Sequence, residues 1–169
     1  MFVAFVYIPL QMFVLKLWSP LSNKRVVIVL TIDKDWEEYY LNRNGVPTSQ
    51  AEKVELNEKL IADIGKHVEL EKNKKYYEFI GLFKLTSNGC KVIKKLFDDL
   101  NYKFNKHDNF VSNTTWYKAY ITDFFSYIIK NKKIKIDSHV ISKCWAEFDT
   151  DTDYLRLDKI KKTQKLNIT

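Results

Sequence analysis

Asp149 stands in Trp145-Ala146-Glu147-Phe148-Asp149-Thr150, where a short apolar stretch gives way to Thr150-Asp151-Thr152-Asp153. A carboxylate at such a strand-to-helix junction has two uses. It can face a ligand at the carboxyl edge of a sheet, where α/β proteins bind their substrates. It can also cap the helix that follows. Glu78, Tyr120, Asp123 and Trp145 form a second group of interest. A carboxylate beside aromatic faces holds a cationic group by charge and by cation–π attraction, and Trp116 is a further aromatic for such a wall. Packing in the core or on the surface is the ordinary alternative for each. Lys53 and Lys66 can face a phosphate, against the default of a solvated lysine.

The other reactive residue types match no standard site. There is no G-x-G-x-x-G and no P-loop, and the chain has only four glycines, too few for a glycine-rich phosphate cradle. His67, His107 and His139 have no Ser or Cys partner by motif, so a hydrolase triad has no support and each reads as a surface or loop residue. Cys90 and Cys144 are far apart and lack Cys-x-x-Cys or Cys/His ligand spacing, which argues against zinc. They read as two reduced thiols of a cytoplasmic protein.

The elements that must position these residues follow from pattern. Val26 to Ile32 is a continuous aliphatic run, the mark of a strand buried on both faces. Asp35 is placed to cap a short helix reaching to about Arg43, with a loop at Asn44-Gly45-Val46-Pro47. Glu52 to Leu56 and Leu60 to Ile64 predict a hairpin or meander, with a helix as the alternative. Glu78 to Leu85 predicts a core strand, in which Gly81 permits close approach of a backbone or a ligand. Thr86 or Ser87 caps a helix with Val92, Ile93, Leu96, Phe97 and Leu100 on one face. Residues 105–113 read as loop, and Thr115 to Lys130 as a second helix. Ile134 to Ile141 and Lys143 to Asp149 read as strands. Thr150 opens a final helix, with Asp153 at capping-box spacing. Strands alternating with helices around a hairpin give an α/β layer architecture with a mixed sheet.

The bulk properties fit one domain. At 169 residues, with 46% hydrophobic and 15% aromatic content, the chain can bury a real core. Its net charge of +7 invites a nucleic-acid partner. Against that, Arg25, Arg43 and Arg156 are the only arginines, and the lysines are spread along the chain. Base readout and bidentate phosphate clamping favour Arg. A small anionic substrate such as a nucleotide suits the charge equally, and no nucleic-acid partner is expected. Met1 to Trp18 is apolar but lacks the basic start and cleavage site of a signal peptide. Pro9, Gln11 and Lys16 interrupt it, so a buried strand (Phe2 to Ile8) and a short helix are expected there, with no membrane span.

Five blocks stand in order along the chain. They are Val29-Leu30-Thr31-Ile32-Asp33-Lys34-Asp35-Trp36, Ala51-Glu52-Lys53-Val54, Glu78-Phe79-Ile80-Gly81-Leu82, Ala119-Tyr120-Ile121-Thr122-Asp123 and the block that ends in Asp149-Thr150. In that order they resemble the later part of the sugar-nucleotidyltransferase-like fold. The nearest likeness is to the cytidylyltransferases that activate phosphocholine or phosphonates, including nucleotidyltransferase domains found with phosphoenolpyruvate mutases. The resemblance runs from Ser19 to Asp158, and its last block is the most specific. It implies an incomplete Rossmann-like, GT-A-like mixed sheet with flanking helices. It also implies transfer of a nucleotidyl group, CMP from CTP, to a phosphate- or phosphonate-bearing small molecule. Divalent metal, Mg2+, offsets the triphosphate charge in such chemistry. The resemblance makes Asp149 one of two metal carboxylates and places Glu78, Tyr120, Asp123 and Trp145 at the acceptor pocket.

The chain departs from the family pattern in two places. No glycine-rich loop with an Arg and a following Lys is present, and Phe2 to Ile8, which matches the early strand that ends in the other metal carboxylate, contains no Asp or Glu. Gln11 to Pro20 still resembles the helix and Ser-Pro turn that follow that ligand. The expectation is a single N-terminally truncated or divergent domain over residues 1–169, with weak or absent catalysis and self-association through Met1 to Trp18. The alternatives are a non-catalytic binding protein on the same scaffold and a basic nucleic-acid-binding protein.

Overall fold

The aliphatic run at Val26 to Ile32 forms the central strand, β1 (Ile28–Asp33), and every one of its six residues is buried. The structure is a computed structural model that describes residues 28–41, 47–111, 114–142, 145, 151–153 and 155. The expectations for Met1 to Trp18, Cys144, Asp149 and Thr150 therefore lie outside the described residues.

Strand β1 leads into the short helix α1 (Trp36–Tyr40). The turn between them is made by Asp33, whose Oδ1 accepts the Asp35 amide at 2.9 Å. Asp35 stands at the N-cap position of α1 as expected, but its side chain makes no capping hydrogen bond, and one of its carboxylate oxygens accepts the Ser142 hydroxyl. The chain then forms the hairpin of β2 (Lys53–Asn57) and β3 (Leu60–Gly65), turned at Glu58 with φ of 56°. This settles the hairpin against the helix for that segment. Strand β4 (Tyr76–Leu85) is ten residues long, enough to pair with β2 at its start and with β1 along the rest. Gly81 has φ of 80° and sits where the β1–β4 register shifts between Leu30 and Ile32. It forms a bulge, a conformation that excludes most side chains.

Helix α2 (Ser87–Lys103) is capped by Thr86, whose hydroxyl accepts the Gly89 amide at 3.1 Å. Residues 105–113 were expected to be loop, yet β5 (Asn109–Val111) pairs there with β6 (Thr114–Thr115). The second helix starts later than its periodicity predicts. Residues Trp116–Lys118 form a single 3-10 turn, and α3 spans Ile121–Lys132. The cause is Trp116. Its backbone amide donates to Asp108, its indole donates to Asn101, and its ring packs on Phe104 and Phe110, so it cannot join the α3 axis. Strand β7 (Asp137–Ile141) follows, and residues 151–153 and 155 are helical, in keeping with the expected final helix.

The architecture is mixed α/β with helices flanking a sheet. The sheet order is β1-β4-β2-β3-β7, and β7 returns to pair in parallel with β1. The strands thereby close into a five-stranded barrel, where an open Rossmann-like sheet was expected. Bulges in β1–β4 and β2–β3 add coil to the natural twist and bring β3 to β7, where Leu60 pairs with Asp137. The core lies between this sheet and α3. Ile28, Leu30 and Ile32 meet Val54, Ile64 and Phe79, and Phe124, Phe125 and Ile128 of α3 close over them. Among the described residues no helix is long and apolar enough to cross a membrane.

Candidate functional site

Strand pairing brings the chemically capable residues to one edge of the sheet. Asp33 pairs with both Glu78 and Ile141, Lys53 pairs with Glu78, and Lys53 also pairs with Gly65. The carboxyl ends of β1, β3 and β7 therefore lie together with the start of β2.

A cavity of about 290 Å³ opens at this edge, lined by Glu52, Lys66, His67, Thr114, Tyr120, Thr122 and Asp123. Glu52 precedes β2, and its carbonyl accepts the Phe79 amide at 2.8 Å, which fixes where its side chain starts. Its carboxylate carries a buried oxygen, Oε2, with no hydrogen-bond partner. Burial pushes this carboxyl above its ordinary value; the Thr122 hydroxyl and Lys66 pull it down by less, and Asp123 adds to the rise. Lys66 follows β3. Its Nζ is 3.3 Å from Gln50 Oε1, 3.9 Å from Glu52 and 4.7 Å from the centre of the Tyr120 ring. Asp123 is buried in the first turn of α3 and accepts the Tyr120 amide at 2.8 Å. The cavity thus sets one ammonium beside two carboxylates and three hydroxyls.

Below the cavity a polar cluster ties α3 to β3. Asp63 accepts from the Ser126 hydroxyl at 2.7 Å, from the Ile64 amide at 2.9 Å and from Lys130. Burial works to raise the Asp63 carboxyl, but these hydrogen bonds outweigh it and hold the group below its ordinary value. His67 Nε2 lies 3.3 Å from Asp63 and 3.4 Å from Ser126. Ser, His and Asp are together, yet they do not form a triad. A triad uses the two ring nitrogens for different partners, whereas here one nitrogen meets both, and Nδ1 is buried against Gly65. His67 is a half-buried turn residue, in keeping with the surface or loop position expected of it.

Glu78 and Trp145 stand apart from the cavity, on the side of α1. Glu78 is buried and accepts the Tyr40 hydroxyl. Its cross-strand neighbours Asp33 and Lys53 are buried too, and desolvation pushes the Asp33 carboxyl up and the Lys53 ammonium down. Lys53 thus sits in the sheet, and Lys66 is the lysine that reaches the cavity. Trp145 packs edge-on against Tyr39 with ring centres 6.3 Å apart. Of the residues read from sequence, the fold unites Tyr120, Asp123 and Lys66. It places Glu78 with α1, Trp145 on Tyr39 and Trp116 in the Phe104–Phe110 cluster, so the expected aromatic wall is not assembled. Among the described residues no three His, Cys, Asp or Glu side chains converge to hold a metal ion.

Glu52, Thr114 and Thr122 were missed by sequence reasoning. Glu52 and Thr122 do fall in two of the five ordered blocks, which is a signal. Nothing local marks Thr114.

No protein-family model and no curated protein matches the sequence. Among solved structures, the inositol-1-phosphate CTP transferase from T. maritima is similar, with a TM-score of 0.47 and 22% identity over 83% of this chain. The chain spans about half of that protein, 48% of its length.

Proposed function

We propose that this chain carries the acceptor side of a nucleotidyl transfer from CTP to a phosphate- or phosphonate-bearing small molecule. In that reaction an acceptor phosphate oxygen attacks the α-phosphorus of CTP. The bond to the β-phosphate bridging oxygen breaks, and pyrophosphate leaves with that electron pair. The observation that carries the reading is the cavity where Lys66 stands beside Glu52, Tyr120 and Asp123 at the carboxyl edge of the sheet. A lysine supplies a point charge for phosphate, and the carboxylates accept hydrogen bonds from acceptor hydroxyls. The ordered blocks of sequence support it further. The GT-A-like assignment, and Asp149 as a ligand of Mg2+, belong to the same proposal and rest on the Trp-x-Glu-Phe-Asp-Thr block.

The 169 residues contain no glycine-rich loop with an Arg to hold a triphosphate, so turnover is expected to be weak and acceptor binding is the better readout. In calorimetric titration with CTP and Mg2+ present, Lys66→Ala is expected to weaken glycerol 3-phosphate by about tenfold, the scale of one charge-assisted contact. Equal affinity of the two proteins for it would remove Lys66 and the cavity from the reading. Pyrophosphate release measured in the same samples tests the transfer itself.

A further inference from the structure

The cavity's one aromatic face is already taken. Tyr120 is more than half exposed, and the Lys66 ammonium lies 4.7 Å from its ring centre. Trp116 and Trp145, the other aromatics that might enclose a cation, are committed to Phe104 and Phe110 and to Tyr39. Glu52, the carboxylate that would attract a cationic head, lies 3.9 Å from the same ammonium. Asp123 uses one oxygen on the Tyr120 amide. A quaternary ammonium entering here would meet Lys66 at short range with no free aromatic face to receive it. The hydroxyls of Thr114 and Tyr120 have the opposite character. They donate to, and accept from, an uncharged head group rich in hydroxyls.

We propose that Lys66 is a specificity-determining residue: by covering Tyr120 it excludes cationic head groups and selects an acceptor whose phosphate carries an uncharged, hydroxyl-bearing head. The inference rests on the acceptor reading given above and narrows it. It is stated against the phosphocholine-type acceptor that the sequence resemblance implies.

The test is calorimetric titration of the full 169-residue chain with glycerol 3-phosphate, phosphocholine and inorganic phosphate. The wild type is expected to prefer glycerol 3-phosphate over phosphocholine by about tenfold, the combined scale of a like-charge contact and a lost cation–π contact. Lys66→Gln should weaken inorganic phosphate and glycerol 3-phosphate, and bring the ratio of the two organic phosphates to one or reverse it. Adding Tyr120→Leu should cancel the gain for phosphocholine, because the uncovered face is then absent. The inference is overturned if the wild type binds phosphocholine as tightly as glycerol 3-phosphate, if Lys66→Gln leaves their ratio unchanged, or if none of the three compounds binds. Failure of the transferase reading looks different: the binding preference stands, but CTP yields no pyrophosphate with any of them.

Discussion

Glu52 carries a charge that its surroundings do not fully accommodate. One carboxylate oxygen is buried with no partner, and Lys66 at 3.9 Å is too distant for a tight ion pair. The cost appears as a carboxyl pushed above its ordinary value of 4.5. A raised folded-state value means that the stability contribution is fully present below about 4.5, the unfolded value, and is lost as pH rises through the folded value. Glu52→Gln removes the ionisable group. The variant is expected to equal or exceed the wild type in melting temperature at pH 7, with the advantage gone at pH 4. A loss of stability at pH 7 would mean that the Lys66 and Thr122 contacts outweigh burial.

Helix α3 is fastened to β3 by Asp63. This carboxylate gathers Ser126 and Lys130 from the helix and His67 from the turn that carries Lys66. Its sign is opposite to that of Glu52. The group is held below its ordinary value of 3.8, so its contribution is present above that pH and is lost as pH falls through the folded value. Asp63→Ala strands a buried serine hydroxyl and a lysine, and should cost roughly 2–3 kcal/mol at pH 7 in urea unfolding. The difference from wild type should shrink in acid, and a constant difference down to pH 2 would refute the charged role. The cap of α2 is a simpler case. Thr86→Ala removes the acceptor for the Gly89 amide and should cost about 1 kcal/mol by the same measurement.

At the scale of the molecule, β1 is the most protected element. It pairs on both sides and has no exposed residue, whereas the β5–β6 hairpin forms a separate two-stranded sheet. Amide hydrogen exchange is expected to be slowest from Ile28 to Asp33 and fastest, among the paired strands, from Asn109 to Thr115. The reverse order would contradict the central place of β1. Closure of the sheet also governs the site. The β3–β7 contact and the parallel β7–β1 pairing align the strand ends from which Lys66, Glu52 and Asp33 project.

Local pattern alone determined much of this protein. The unbroken aliphatic run specified β1, the two apolar segments around Asn57 to Lys59 pointed to a hairpin or meander with a helix as the alternative, and Thr86 or Ser87 ahead of an amphipathic stretch marked the start of α2. These signals are local because hydrogen bonding and burial within one element follow its own periodicity. Tyr120 and Asp123 were singled out by the resemblance, and Lys66 as a cation able to face a phosphate. Tertiary structure decided the rest. Trp116 fits a helical pattern, but long-range packing on Phe104 and Phe110 removes it from α3. Nothing local to Glu52 marks its burial beside Lys66, Thr122 and Asp123, which come from elements far apart in the chain. Glu78 and Tyr120 look like partners in sequence, yet one binds Tyr40 and the other lies under Lys66. Which side chains share a cavity depends on strand order, register and closure, and those are fixed by contacts between residues far apart in the chain.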